Sequence, residues 1–413
     1  MTHRSESSPG GEAPAPLPVR PAFLAMFRRG DEVRDDSLAP HSIGLFDGVR
    51  GLLAVWVFMS HALALNGVNT GVLSRGGIAV DLFMLVSGFL MVWNVELRAA
   101  TEPITSKRTW YKFYLRRFFR IAPLYYLAFL IAFFWRNELD AALLHAHAQG
   151  GQSSYRPFAR CGDAGVGHLL SHLSFVFGLL PCYSSSDFLP DWSLTLEAQF
   201  YAVFPLLYFA LLKWPRVLFS VCALAIVALA MRFIGVYDVV PGMLVSFPQP
   251  SLLVLRLNCF ATGMIMALLY YRARWSLQDW IALGLVMFLW QRSTYSGIAL
   301  VLCAVLFPVR YGASIPAFRT MAARASQLLS RQPLKWIGDI SYGLYLLHLF
   351  VLVPVVNMLW SQPWFAAQAA NVRIATTAGV ALPLALALAG LAHRFIEQPM
   401  IAVGRAQTRR IGR

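Results

Sequence analysis

Ten apolar stretches, each about as long as the hydrocarbon core of a bilayer is thick, recur along the sequence. A helix that crosses a bilayer needs roughly 20 mainly apolar residues. The stretches cover residues 47–66, 78–97, 121–137, 193–212, 217–235, 252–271, 277–291, 297–311, 336–359 and 372–393. The chain of 413 residues is 58% hydrophobic and only 13% charged, which is typical of membrane proteins. The sequence therefore predicts an all-α, polytopic integral membrane protein with about ten transmembrane helices.

Basic residues fall mostly on one side of the predicted bundle. If the N-terminal segment lies in the cytoplasm, most of the 35 Lys and Arg residues lie in cytoplasmic segments, as the positive-inside rule requires. This asymmetry predicts that both termini are cytoplasmic. Anionic lipid headgroups attract basic loops, which explains the formal net charge of +15. We therefore expect membrane lipid, and not nucleic acid, as a partner.

Two polar segments flank the apolar region. Residues 1–42 combine Pro, Gly, Ser and mixed charge and predict a disordered cytoplasmic tail rather than a signal peptide. Residues 43–400 form the predicted transmembrane domain, and residues 401–413 form a basic cytoplasmic tail. Cys161 and Cys182 lie in the longest predicted outer connection, where either a disulfide or two free thiols fit the spacing. No zinc-like cysteine spacing is present, and no metal site is predicted.

The first span carries an arginine and a histidine on one helical face. Eleven residues at 100° each place Arg50 and His61 within about 20° of each other and about 16 Å apart along the helix axis. Ionisable groups are costly in hydrocarbon and usually face the bundle interior, where they serve a pathway or a site. The simpler alternative is that Arg50 reaches the lipid headgroups and that His61 binds a neighbouring polar group.

This pair suits transfer from a coenzyme A thioester. Arginine can hold the phosphates at the cytoplasmic mouth, while the pantetheine arm, comparable in length to the separation of the pair, extends inward. His61 can then act as a general base on an acceptor hydroxyl, because an unperturbed imidazole titrates near neutral pH. A covalent acyl-imidazole is the alternative. We therefore predict acyl-CoA as a co-substrate and no permanently bound cofactor.

Further polar residues lie near the predicted cytoplasmic side. Arg117 and Arg120 share a helical face at i and i+3 and predict a phosphate clamp for coenzyme A. The alternative is an interfacial helix that basic and aromatic residues hold on anionic lipid. Asp47, which begins the first span, and Ser87, which lies in the second span six residues after Asp81, are predicted to contact the substrate. Small and polar residues in that span also fit plain helix packing.

Two other stretches offer contacts for an acceptor. Trp192 and Glu197 begin the fourth span, which places a carboxylate just below the outer interface. There Glu197 could orient a histidine or bind sugar hydroxyls, and the alternative is a structural salt bridge to Arg256. Tyr342 and His348 lie on a late span and are predicted to contact the acceptor. A lone histidine of this kind is usually structural, so we prefer the histidine of the first span as the base.

Five motifs occur in the following order along the chain: LFDGVRGLLAVWVFMSH, GGIAVDLFMLVSGFLM, RRFFRIAPLYYL, DWSLTLEAQFYAVFPLL and ISYGLYLLHLF. Together they resemble the acyltransferase-3 family of integral-membrane acyltransferases, which acylate bacterial cell-surface and secreted carbohydrates. The resemblance covers nearly all of residues 44–400. Met84 and Leu85 stand where the family pattern leads us to expect an aromatic and a small apolar residue.

The resemblance implies O-acyl transfer from cytoplasmic acyl-CoA, commonly acetyl-CoA, to a sugar hydroxyl of a lipopolysaccharide, an exopolysaccharide or another glycan. Arg50 and His61 match the family's Arg and His pair. Arg117 and Arg120 match its Arg-x-x-Arg motif, and Glu197 matches the glutamate of its Trp-Ser-Leu-x-x-Glu motif. We therefore predict His61, Arg50 and Glu197 as catalytic residues. The chain resembles the stand-alone members, which have no fused extracytoplasmic domain, and the resemblance implies a multi-pass protein of the bacterial inner membrane.

Two other functional classes fit a bundle with charged residues in its spans. A transporter or flippase would use such residues along its substrate pathway, but the internal symmetry that transporters tend to show is not evident in the sequence. A carbohydrate-binding membrane scaffold is the third possibility. The acceptor, the acyl group and the oligomeric state stay open at this level.

Overall fold

Helices form most of the described backbone. The computed structural model describes residues 39–151, 165–236, 242–271, 276–288, 298–299, 301–303 and 316–411. Among these residues, the β-structure consists of strands β1 (Ile234–Val236) and β2 (Val245–Phe247), which pair in parallel with Gly235 opposite Ser246. The prediction of an all-α protein is therefore confirmed.

Fifteen α-helices are described, numbered here in chain order. The first half of the chain contains α1 (Ala39–Leu65), α2 (Gly76–Arg98), α3 (Lys107–Phe134), α4 (Arg136–Gln149), α5 (Val166–Leu173), α6 (Trp192–Lys213) and α7 (Arg216–Phe233). The second half contains α8 (Leu257–Tyr271), α9 (Leu277–Phe288), α10 (Pro316–Leu329), α11 (Leu334–Asp339), α12 (Ser341–Trp360), α13 (Pro363–Ala366), α14 (Ala370–Ala392) and α15 (Gln398–Arg410).

Seven helical spans in the described part of the chain are long and apolar enough to cross a membrane. These are α1, α2, α3, α6, α7, α12 and a continuous segment, Ala370–Arg410, which joins α14 to α15. Helices α8 and α9 are apolar but shorter. The span predicted at 297–311 is helical at the few positions that are described there, and the rest lies outside the described residues. The chain is thus a polytopic membrane protein.

Several predicted helix boundaries differ from the observed ones. Helix α3 begins at Lys107 rather than at residue 121, because the basic and aromatic stretch before the apolar run continues the same helix. Helix α8 begins at Leu257, after a short 3₁₀ turn, Leu253–Leu255. The two prolines of "SFPQPS" precede that turn, and proline disfavours helical conformation at the residue before it. The late span is divided at Ile340 into α11 and α12.

Close backbone contacts fix α1 and α2, which carry four of the ten predicted site residues. A Cβ atom added at Gly338 of α11 would clash with the backbone carbonyl of Asp47 on α1. A Cβ atom at Gly88 of α2 would likewise clash with the carbonyl of Phe260 on α8. Both positions need glycine because the two backbones touch. These contacts set the depth of α1 and α2 in the bundle.

The structure describes part of each predicted terminal tail and part of the predicted outer connection. Helix α1 begins at Ala39, and residues 1–38 lie outside the described residues. The C-terminal segment predicted as a basic tail is helical to Arg410 and packs on α3, where Gly404 lies against Phe119. Cys182 is disulfide-bonded, whereas Cys161 lies outside the described residues.

Candidate active site

A cavity of about 210 Å³ lies between α1, α2, α3, α6 and α12. Seven of the ten predicted site residues line this cavity: Asp47, Arg50, Ser87, Arg117, Arg120, Glu197 and Tyr342. Apolar side chains, including Val80, Phe83, Met84, Leu90, Met91 and Leu194, form much of the remaining wall. The cavity therefore combines a strongly polar region with a hydrophobic one.

Three guanidinium groups face this cavity without a close carboxylate. Within the described ranges, no Asp or Glu oxygen lies within 4.0 Å of the guanidinium nitrogens of Arg50, Arg117 or Arg120. The Nε of Arg117 is buried and has no hydrogen-bond partner there, and its guanidinium lies 5.8 Å from the centre of the Phe113 ring and 5.7 Å from that of Tyr201. Buried donors of this kind are costly unless they bind something.

Arg116, the neighbour of Arg117 in the sequence, is paired with a carboxylate, unlike the three arginines of the cavity. Arg116 donates to both carboxylate oxygens of Glu102, over 2.9 Å and 2.7 Å, and does not line the cavity. The three cavity arginines are therefore the ones whose charge is available. Asp47 and Glu197, which line the same cavity, offset only part of it. This arrangement suits a multiply charged anion such as a phosphate ester.

Glu197 is positioned by a serine and not by an arginine salt bridge. The Ser87 hydroxyl donates to Oε1 of Glu197 over 2.5 Å, which links α2 to α6 across the cavity. The alternative pairing of Glu197 with Arg256 is wrong, because the Nε of Arg256 lies 3.1 Å from Oδ1 of Asp81. Glu197 is thus left facing the cavity, where it can act on a bound molecule.

Two histidines from distant parts of the sequence meet beside the cavity. Nδ1 of His61 on α1 lies 2.9 Å from Nε2 of His348 on α12. Nδ1 of His348 lies 2.7 Å from the backbone carbonyl oxygen of Tyr345. A carbonyl oxygen only accepts, so in the neutral ring Nδ1 of His348 carries the hydrogen and Nε2 has the lone pair. His61 must then donate from Nδ1, which leaves the lone pair on its own Nε2.

Tyr345 connects the histidine pair to the cavity. Its ring lines the cavity, while its backbone carbonyl holds His348. Its hydroxyl donates to the carbonyl of Pro190 over 2.6 Å and lies 2.7 Å from Oγ of Ser193, which lines the cavity as well. The histidines themselves do not line the cavity, and they adjoin it through this tyrosine.

Trp192 is not part of the cavity wall. It begins α6 and packs, partly buried, against the core, so the predicted contact of Trp192 with a substrate is not formed by this cavity. Sequence reasoning did not select Tyr345 or Ser193 as site residues. The pairing of His61 with His348 also had no signal in the sequence, because 287 residues separate them.

Comparison with known proteins places this bundle among acyltransferases. A family profile described as an acyltransferase domain matches residues 43–391. The chain is 27% identical over 377 residues to acyltransferase MdmB of Streptomyces mycarofaciens, an alignment that spans 85% of this chain and 90% of that protein. It is 26% identical over 343 residues to exopolysaccharide production protein ExoZ of Rhizobium meliloti, spanning 80% and 92% of the two chains.

A third relative is longer than this chain. The identity to peptidoglycan O-acetyltransferase OatA of Listeria monocytogenes is 24% over 385 residues, which spans 86% of this chain but 55% of that protein. No solved structure matches the chain significantly. Two of these relatives, MdmB and OatA, are named for acyl or acetyl transfer, and their alignments span 85% and 86% of this chain.

Proposed function

Because the chain belongs to the acyltransferase-3 family of membrane acyltransferases, we propose that it moves an acyl group from cytoplasmic acyl-CoA to a carbohydrate hydroxyl. The observation that supports this proposal most directly is one cavity that has three available guanidinium groups in its wall and adjoins a hydrogen-bonded histidine pair. The first feature suits a donor rich in phosphate, and the second suits proton transfer.

Arg50, Arg117 and Arg120 are the proposed donor-binding residues. In the proposed orientation they lie towards the cytoplasm, where coenzyme A is available. The apolar part of the cavity wall then takes the pantetheine arm, whose methylene and methyl groups favour burial. We propose that the transferred group is acetyl, because the name of one relative specifies O-acetyl transfer.

His61 is the proposed general base. The acceptor hydroxyl loses its proton to Nε2 of His61 as its oxygen attacks the thioester carbonyl, so that a C–O bond forms and the C–S bond breaks. The thiolate of coenzyme A leaves and takes up the proton from His61, which returns the ring to its starting state. In the alternative relay, Nε2 attacks the thioester carbonyl and the thiolate of coenzyme A leaves as the C–S bond breaks. The acceptor hydroxyl then attacks the acyl-imidazole, the bond between Nε2 and the acyl carbon breaks, and the hydroxyl proton passes to the thiolate.

Three further residues are proposed to position the base or to contact the acceptor. His348 is a positioning residue, because its hydrogen bond keeps the lone pair of His61 on Nε2. Glu197 and Tyr342 are proposed to contact the acceptor, whose carbohydrate nature is suggested by the relatives named for peptidoglycan and exopolysaccharide. A bacterial inner membrane with both termini inside would place the acceptor on the outer side.

The direct experiment uses the full chain purified in detergent, with labelled acetyl-CoA and a glycan acceptor. We expect label in an ester that mild base releases from the sugar, and no transfer by His61→Ala. His145→Gln, which changes an exposed histidine on α4, is the matched control and should behave as wild type. Solute flux across vesicles without any ester formation would instead support the transporter alternative.

A second measurement separates direct transfer from the relay. The enzyme is mixed with labelled acetyl-CoA in the absence of acceptor and quenched rapidly. Label that stays on the protein and is lost in His61→Ala would show an acyl-imidazole. Unlabelled protein under conditions that give full turnover with acceptor would show direct transfer.

A further inference from the structure

A second cluster of titratable side chains lies in the connection between α4 and α6, away from the cavity. His168 and His172 occupy successive turns of α5, and Asp187 follows in the loop that leads to α6. All three are buried, and one ligand atom from each lies within 4.8 Å of the other two. The proposed reaction uses none of them.

The ring of His172 is held in one orientation with its Nε2 available. It stacks between Phe129 and Phe177, with ring centroids 4.7 Å and 4.2 Å away and planes parallel within 5°. Its Nδ1 lies 3.0 Å from the carbonyl oxygen of His168 and must donate to it. The buried Nε2 has no hydrogen-bond partner in the described part of the chain, and Oδ2 of Asp191 is 3.7 Å away.

The ring of His168 is oriented in the same manner. Its Nε2 lies 3.1 Å from Oγ of Ser186, whose hydroxyl lies 3.0 Å from the carbonyl oxygen of Tyr183. The serine therefore donates to the carbonyl and accepts from Nε2, which leaves the lone pair of His168 on Nδ1. The ring also stacks on Tyr183 with planes within 8°.

Outer hydrogen bonds of this kind are what orient histidine ligands in metal sites. The hydrogen bond from Nδ1 to the carbonyl of His168 leaves the lone pair of His172 on Nε2, which is the atom that a metal ion would bind. Two neutral imidazoles and a carboxylate form a donor set that suits Zn²⁺. Zn²⁺ holds such donors roughly 3.4 Å apart, so small side-chain rotations would close the site.

We propose that His168, His172 and Asp187 bind a structural Zn²⁺ ion. The three ligands are buried, which is typical of structural rather than catalytic zinc. Asp191, whose Oδ2 lies 3.7 Å from Nε2 of His172, could complete the coordination. The ion would join α5 to the loop before α6. That loop includes Pro190, whose carbonyl accepts from Tyr345, so the metal would stabilise the part of the bundle that supports the histidine pair.

The test measures metal directly in the full chain, purified in detergent without a histidine tag. We expect about one zinc per chain by mass spectrometry of the elements. After removal by a chelator, added Zn²⁺ should raise the melting temperature until about one equivalent is bound, and Co²⁺ should give the visible absorption of a four-coordinate ion. Ca²⁺ and Mg²⁺ should have no effect, since they prefer oxygen ligands.

Variants assign the metal to these residues. Asp187→Asn and His172→Gln should lose the zinc and the Zn²⁺-dependent rise in melting temperature, while His145→Gln should keep both. If either variant does not fold, the addition of Zn²⁺ to metal-free wild-type protein still tests whether the protein binds zinc. Wild-type protein that takes up no zinc after exposure to Zn²⁺, or folded Asp187→Asn and His172→Gln variants that hold as much zinc as wild type, would overturn the proposal. These readouts are independent of acyl transfer.

Discussion

Two imidazole rings from opposite ends of the chain share one hydrogen bond, and that bond fixes which nitrogen of His61 has the lone pair. Nδ1 of His348 is occupied by the carbonyl of Tyr345, so His348 can only accept from His61. A base with the wrong tautomer would present a hydrogen where it needs a lone pair. The chemistry proposed for His61 therefore depends on a residue that need not touch the substrate.

His348 is tested by comparing two replacements. His348→Leu removes the acceptor for Nδ1 of His61 and should lower kcat by at least about tenfold, with little change in the KM for acyl-CoA. His348→Gln keeps an oxygen that can accept the same bond and should retain clearly more activity. Equal activity of the two variants would show that His348 only fills space.

The cavity arginines are tested through the donor. Arg117→Gln and Arg120→Gln should each raise the KM for acyl-CoA by about 10- to 100-fold, because a hydrogen bond to a charged group contributes roughly 1.5–3 kcal/mol. Arg116→Gln is the matched control, since Arg116 is paired with Glu102 and its charge is not available. If all three variants change KM alike, the effect comes from general surface charge.

The sequence predicted much of this site because its residues are constrained locally. Helical spacing alone placed Arg117 beside Arg120 and set Arg50 on the face of His61. The contacts that depend on how helices meet were not predictable in this way. Ser87 and Glu197, which are 110 residues apart in the sequence, form a hydrogen bond. The sequence analysis compared His61 with His348 as candidate bases and did not predict the hydrogen bond between their rings.

At the level of helices, glycine determines how deeply α1 and α2 lie in the bundle. Gly88→Ala should destabilise the protein by about 1–3 kcal/mol, because the new Cβ atom meets the backbone of α8 and can only be accommodated by moving a helix. Gly284→Ala on α9, where nothing lies within 4 Å, should have little effect. Thermal unfolding of both variants in detergent measures the difference, and equal melting temperatures would contradict the role of Gly88.

The lengths of the apolar stretches predicted that the helices exist, but they did not predict well where the helices begin and end. A hydropathy pattern shows where a helix is in lipid, not where its backbone hydrogen bonds stop. The basic half of α3 and the polar continuation beyond Ala392 are therefore helical although their composition resembles loops. Since Arg117 and Arg120 lie in that basic half, the continuation of the helix is what holds both of them on one face towards the cavity.

For the whole molecule, the orientation in the membrane is the prediction on which the direction of transfer depends. Thr70→Cys, in the exposed connection after α1, should react with a membrane-impermeant maleimide in intact cells. Thr101→Cys, in the exposed connection after α2, should react only after the membrane is permeabilised. The opposite pattern would put the arginines outside, away from coenzyme A, and would contradict the proposed direction.

The rigidity of α1 has a consequence for which donors the protein can use. One unbroken helix separates Arg50 from His61 by about 16 Å, and a helix neither stretches nor shortens. A donor anchored at Arg50 can deliver its carbonyl only if its own arm has a matching reach. The helix would thus discriminate among acyl donors by their length, so that a short acyl phosphate, however reactive, would stop well before the imidazole.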